Sequence, residues 1–290
     1  MRKTLIALLL TACLTSPLAL ARADAVAGRL TVTVQGSGPD VILIPGLACS
    51  RAVWDGTVAH LAGHYRLHLV QVAGFAGSPA RANASGPVLE PTIAALDAYI
   101  KTNHLKSPFV IGHSIGGLMG MLLALEHPED TGKLLIVDSL PFYSVLFGAA
   151  DAAAAAPQAA QMRDQILHET PEAYAQGERQ FLPTMVSSPA GLKAATEWAI
   201  ASDKSVVARA LYEDLTTDLR PRLKEIKIPV TMLYPWSDAI GLPPARVDDL
   251  YQSNFATLPH KHLVRIDKSY HFIMLDQPAA FATQVDEFLK

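Results

Sequence analysis

Cysteine is nearly missing: Cys13 and Cys49 are the only two in 290 residues. A framework of several disulfides is thereby excluded, and a packed core must hold the fold. Charged residues are also sparse, at 18% against 50% hydrophobic. Disorder needs the opposite balance. The net charge is −3 and no run of lysine or arginine occurs, so the basic stripe of a nucleic-acid binder is absent and no such partner is expected. No internal repeat is found. The length suits one large domain, with room for an insertion.

The first residues stand apart. Met1-Arg2-Lys3 is a short positive region, and an apolar stretch runs from Thr4 to about Leu20. Two small-x-small sites follow, Ala19-Leu20-Ala21 and Ala23-Asp24-Ala25. This is the layout of a secretory signal peptide over residues 1–25, and export to the periplasm or medium is expected. Thr11, Thr15, Ser16 and Pro17 interrupt the stretch and leave it short for a membrane span, so none is expected in the mature chain. Leu10-Thr11-Ala12-Cys13 offers a lesser alternative, since it resembles a lipoprotein cleavage site. Removing Arg2, Lys3, Arg22 and Asp24 takes 24 basic and 27 acidic residues to 21 and 26, and the net charge to −5. Cys49 is then alone, with no internal disulfide.

Beyond the leader, strand and helix patterns alternate. Leu30-Thr31-Val32-Thr33-Val34 has the period of a half-buried strand. Val41-Ile42-Leu43-Ile44 is wholly apolar, as a parallel strand buried on both faces should be. Residues 66–72, 109–111 and 134–137 read as further strands, with helices over 91–103 and 117–126. The alternation predicts a mostly parallel α/β sheet flanked by helices. It stops at residue 141. Residues 141–220 read as helical, with start signals at Thr170-Pro171-Glu172, Ser188-Pro189 and Asp203. Ala149 to Ala160 is alanine-rich, but its apolar flanks predict a packed helix there and not a linker. Strands at 230–234 and 262–266 and helices at 244–255 and 279–289 complete the pattern. The expected units are 26–140 and 221–290 for the core and 141–220 for a helical insertion.

One turn carries chemistry. Gly112-His113-Ser114-Ile115-Gly116 lies between a buried strand and a helix. There a serine occupies a sharp turn, the glycines remove clashing side chains, and the helix N-terminus favours a developing oxyanion. Ser114 is the expected nucleophile. It needs a base, and the base an orienting acid. His113 is read as packing. His271, after the last strand in Ser269-Tyr270-His271-Phe272, is the expected base. Asp238, after the strand at 230–234, is the expected acid, and Asp138 its main competitor. Asp276 is read as a cap of the final helix. The oxyanion donors should be the backbone amides of Ile115 and of Leu47, in the loop Pro45-Gly46-Leu47-Ala48. Cys49, in the same loop, is read as a small buried hydrophobe.

Taken together, the Pro45-Gly46 loop with Trp54 after it, Gly112-His113-Ser114-Ile115-Gly116-Gly117, Asp238, and His271-Phe272 before Gln277-Pro278 resemble the α/β-hydrolase superfamily over residues 28–290. The resemblance implies the Ser-Asp-His order found here, an α/β-hydrolase fold, and a helical cap where 141–220 fall. It is nearest to capped bacterial serine esterases. Two departures concern the subfamily. Many relatives have His-Gly in place of Pro45-Gly46, and an Asp-x-x-Gly-x-Gly-x-Ser loop in place of Val72-Ala73-Gly74-Phe75-Ala76-Gly77-Ser78.

The implied activity is hydrolysis of a small or medium carboxyl ester through an acyl-enzyme, without metal or cofactor. Phe142, Phe147, Phe181 and Trp198 are read either as pocket lining or as ordinary packing of the insertion. Peptidase, lactonase or acyltransferase chemistry on the same fold remains open, as does a non-catalytic ligand receptor. A metal hydrolase is the weakest rival, since His260-x-His262 has no third ligand at convincing spacing.

Overall fold

The runs Val41–Ile44, Val110–Ile111 and Leu134–Val137 are essentially inaccessible to solvent, which places them at the centre of the molecule. In the computed structural model, which describes residues 24–290, they belong to neighbouring parallel strands of one sheet. The leader expected over residues 1–25, with Cys13, lies outside the described residues except for Asp24 and Ala25. The strands are β1 (Asp24–Val26), β2 (Leu30–Gly36), β3 (Asp40–Ile44), β4 (Arg66–Val72), β5 (Phe109–His113), β6 (Lys133–Val137), β7 (Val230–Trp236) and β8 (Lys261–Asp267). Their order is β1-β2-β4-β3-β5-β6-β7-β8. The pairs β1–β2 and β2–β4 are antiparallel, and all others are parallel. The alternating pattern of β2 therefore belongs to the antiparallel end of the sheet, and the apolar runs to its parallel centre.

The helices of the core are α1 (Asp55–Leu61), α2 (Leu89–Thr102) and α3 (Ile115–Glu126). Between β6 and β7 lie a short 3₁₀ turn (Tyr143–Phe147) and four helices: α4 (Ala152–His168), α5 (Pro171–Phe181), α6 (Pro189–Ala201) and α7 (Lys204–Thr216). After β7 come α8 (Pro244–Asn254), the single turn α9 (Ile273–Asp276) and α10 (Pro278–Leu289). Sequence reading finds every strand of the parallel core but not α1, whose seven residues are too few for a clear period.

The helix starts follow their caps. The carboxylate of Asp151 accepts from Ala154 N at 2.9 Å and opens α4. Thr170 Oγ1 accepts from Ala173 N at 3.2 Å, and the Asp203 carboxylate accepts from the amides of Ser205 and Val206. Ser188 departs from the pattern. It precedes α6 as expected, but its hydroxyl makes no cap bond; instead its amide and that of Ser187 donate to Asp276 at 3.0 Å. Asp276 thus ties the start of α6 to α9 and does not cap α10, as the sequence suggests.

The inserted helices are bolted to the core by polar contacts. Asp203 N donates to Gly74 O at 2.8 Å, and Ala76 N to Ser202 Oγ at 2.8 Å. Gly74 has φ +94, and a Cβ there would stand 2.7 Å from Val206 on α7. A side chain would push the helix away. The Glu213 carboxylate on α7 accepts from Val88 N and Leu89 N at 2.7–3.1 Å, satisfying the free amides at the start of α2. Removing this carboxylate with Glu213→Ala is expected to cost about 1–3 kcal/mol. The midpoint of urea unfolding measures it, and an unchanged midpoint contradicts the assigned role.

Candidate active site

Ser114 follows β5 directly and precedes α3, with φ 54 and ψ −128. L-residues rarely occupy this region, and holding one there costs about 1–3 kcal/mol. Tight surroundings enforce it. A Cβ on Gly112 would lie 2.2 Å from Gly116 O, and one on Gly116 would lie 2.4 Å from Ile44 O. The turn therefore closes only with glycine at both positions. Ser114 N donates to Val137 O at 2.9 Å, which extends the β5–β6 ladder by one step.

That register decides the acid. His113 pairs with Val137 and Val137 with Leu233, while Asp138 N donates to Leu233 O at 2.8 Å. Ser114 and Asp138 therefore each stand one residue beyond their strand, on neighbouring strands. His271 Nδ1 donates to Asp138 Oδ2 at 2.6 Å, with both side chains about nine-tenths buried. Tyr251 on α8 donates from Oη to the other oxygen, Asp138 Oδ1, at 2.5 Å. The carboxylate is thus held from both sides. Burial and the adjoining Asp138 charge push the Tyr251 phenol well above its ordinary value, so it remains a donor.

The expectation of Asp238 as the partner of His271 is corrected. β7 does not stop level with β6. It continues through Pro235 to Trp236, two residues or about 7 Å past the position opposite Asp138. Asp238 falls beyond that overrun, in an exposed turn at Asp238–Ile240. A sequence signal for Asp138 exists: like Ser114, it immediately follows a wholly buried apolar strand. Nothing comparable points to Tyr251.

His271 is placed by three contacts. Tyr270 N donates to Asp276 Oδ2 at 2.9 Å, and Ser269 N to Trp236 O at 3.2 Å. His113 Nε2 donates to the carbonyl of His271 itself at 3.2 Å. The His113 ring is fully buried, 4.5 Å from the His271 ring and 4.7 Å from Phe272. Burial, aided by the His271 charge, holds it well below the usual histidine range, so it stays neutral. It packs, as the sequence suggests, and it also anchors the backbone of the neighbouring histidine.

The β3 loop runs against the same turn. A Cβ on Gly46 would lie 3.2 Å from Ser114 Cβ and 2.8 Å from His113 Nδ1. This brings the loop with Leu47 beside Ser114. Ile115 is the first residue of α3, where amides have no intrahelical acceptor. Cys49 is buried, and burial pushes its thiol up to about 12. It is inert as a nucleophile. Trp54 is fully buried and stacks on Phe281, with ring centroids 6.2 Å apart.

A cavity of about 440 Å³ opens on Asp138 and His271. It is lined by Tyr143 and Leu146, by Met185, and by Ile240, Leu242, Val247, Leu250 and Tyr251. The four aromatic residues weighed as lining lie elsewhere. Phe142 is fully buried, Phe147 and Phe181 are about half exposed, and Trp198 borders a separate cavity of about 410 Å³. His260 and His262 are exposed. Asp97, His127 and Asp130 bring donor atoms within 4.8 Å of one another, but Lys101 Nζ already sits 2.5 Å from Asp97 Oδ1 as their cation.

Comparison with known proteins agrees with this arrangement. A model of the alpha/beta hydrolase family matches residues 41–284, and the chain belongs to that family. Among curated relatives, it is similar to the pimeloyl-[acyl-carrier protein] methyl ester esterase of Aeromonas salmonicida, with 29% identity over 90% of this chain and 100% of that protein. The enzyme of the same name from Vibrio cholerae is 28% identical over 88% and 96%. Among solved structures, an esterase from Thermogutta terrifontis superposes with a TM-score of 0.75, at 18% identity over 93% of this chain and 98% of that one. An enol-lactonase from Burkholderia xenovorans gives 0.73, at 21% identity over 92% and 99%. These last two establish the fold.

The two aspartates separate in one measurement. The rate at which a fluorophosphonate labels Ser114 is expected to fall about 10³–10⁴-fold in Asp138→Asn. In Asp238→Asn it should stay within about twofold. The reverse ranking contradicts the placement of the acid.

Proposed function

We propose that this protein is a serine esterase that hydrolyses carboxyl esters through an acyl-enzyme on Ser114. The observation that carries the reading is the pairing of His271 with Asp138 at the strand ends that also present Ser114. A serine on a strained turn, a histidine and a buried carboxylate on neighbouring strand ends are the parts that acyl transfer requires. The curated relatives are named as methyl ester esterases, which favours an ester over an amide.

In the proposed sequence, His271 Nε2 takes the Ser114 proton as Oγ attacks the ester carbonyl. The amides of Ile115 and Leu47 receive the oxyanion. His271 returns the proton to the leaving alcohol, and the acyl group stays on Ser114. Water, deprotonated by His271, then attacks that acyl group, and Ser114 regains its proton as the acid leaves. Asp138 holds the Nδ1 proton and stabilises the imidazolium, and Tyr251 fixes Asp138. Helices α4–α7 act as the cap, and the apolar lining from Leu146, Met185, Leu242 and Leu250 suits a short or medium carbon chain. The proposal includes export through a leader at residues 1–25, which N-terminal sequencing of the mature protein checks.

Ser114→Ala is expected to lower kcat/KM for p-nitrophenyl butyrate by at least about 10³-fold, with folding unchanged. Retained turnover contradicts the reading.

A further inference from the structure

Asp214 is a deeply placed acid that the proposed mechanism leaves unused. It lies near the end of α7, and its neighbour Leu215 accepts from Ser144 Oγ at 2.7 Å. That bond seats the helix end on the Tyr143–Phe147 turn, and Tyr143 lines the cavity shared with Asp138 and His271. Asp214 is enclosed by protein, yet the residue keeps some accessible surface. A group both deep and accessible faces an internal space. Among the described residues, no hydrogen bond or ion pair holds its carboxyl. Charge on His271 acts on it, and its own charge acts on Tyr143, which sets it at the cavity wall.

The cavity offers this acid no counter-ion. No lysine or arginine is among the lining residues, and the Asp138 carboxylate is already taken up by His271 and Tyr251. A buried carboxylate without a donor or cation is costly, and a ligand that brings the missing cation recovers that cost. An anionic ligand would add to it.

We propose that Asp214 is a specificity-determining residue: it receives an ammonium group that the substrate carries near its scissile ester, and it disfavours substrates with a carboxylate there. This rests on the esterase reading above. Burial pushes the Asp214 carboxyl up to about 7, while the His271 charge draws it down, so the group is charged in mildly alkaline buffer.

Three p-nitrophenyl esters of equal chain length test the proposal: butyrate, β-alanine and succinate, ending in methyl, ammonium and carboxylate. At pH 8, Asp214→Asn is expected to lower the ratio of kcat/KM for β-alanine over butyrate by about tenfold, and to raise that for succinate over butyrate. Ratios within one protein cancel differences in intrinsic reactivity and any general loss of activity. Asp214→Glu, which restores the charge, should recover the wild-type direction of both ratios. Ratios that do not move in Asp214→Asn overturn the assignment while leaving the esterase reading intact. A wild-type enzyme that fails to hydrolyse the butyrate ester overturns the esterase reading, and this proposal with it.

Discussion

The hydrogen-bond ladder across the ends of β5, β6 and β7 governs the rest of this structure. Ser114 N reaches Val137 O, and Asp138 N reaches Leu233 O, so each chemical residue is one step beyond its strand and tied to the next. Backbone register, and not side-chain choice alone, brings the serine and the acid to one edge. The histidine is then brought in from the far side of β7. Its loop is pinned at Tyr270 by Asp276, at Ser269 by Trp236, and at His271 by His113.

The ladder also explains where strain is held. Ser114 and Asp138 both have positive φ, at 54° and 46°. Neither conformation is favourable alone for a residue with a side chain. Both survive because the strands beneath them are buried on both faces and cannot shift. Gly112 and Gly116 let the elbow close, and Tyr251 completes the support of Asp138 from α8. Stacking of Tyr251 on Tyr234, with centroids 4.3 Å apart, joins that support back to β7.

Much of this was legible in the residues. The apolar runs identify the parallel strands because burial on both faces leaves no room for polar side chains. Ser114 is legible because its constraint is local: strand, glycine, serine, glycine, helix. His271 is legible because it follows the last strand. Asp238 was misread because the length of β7 is set by pairing with β8, where Trp236 meets Asp267, and no local pattern reports it. Tyr251 and Asp214 reach the site through helix packing across long stretches of chain, which periodicity does not encode. The aromatic residues of the insertion illustrate the same limit: Phe142 and Phe147 are five residues apart, yet one is fully buried and the other half exposed.

The central claim is that His271 is oriented by Asp138. Proton NMR of the ¹⁵N-histidine-labelled enzyme reads that bond most directly. A short, buried Nδ1–H···carboxylate bond gives a strongly downfield imidazole proton resonance. The account predicts that this resonance is present in the wild type, persists in Asp238→Asn and disappears in Asp138→Asn. A resonance that survives in Asp138→Asn and is lost in Asp238→Asn would contradict it.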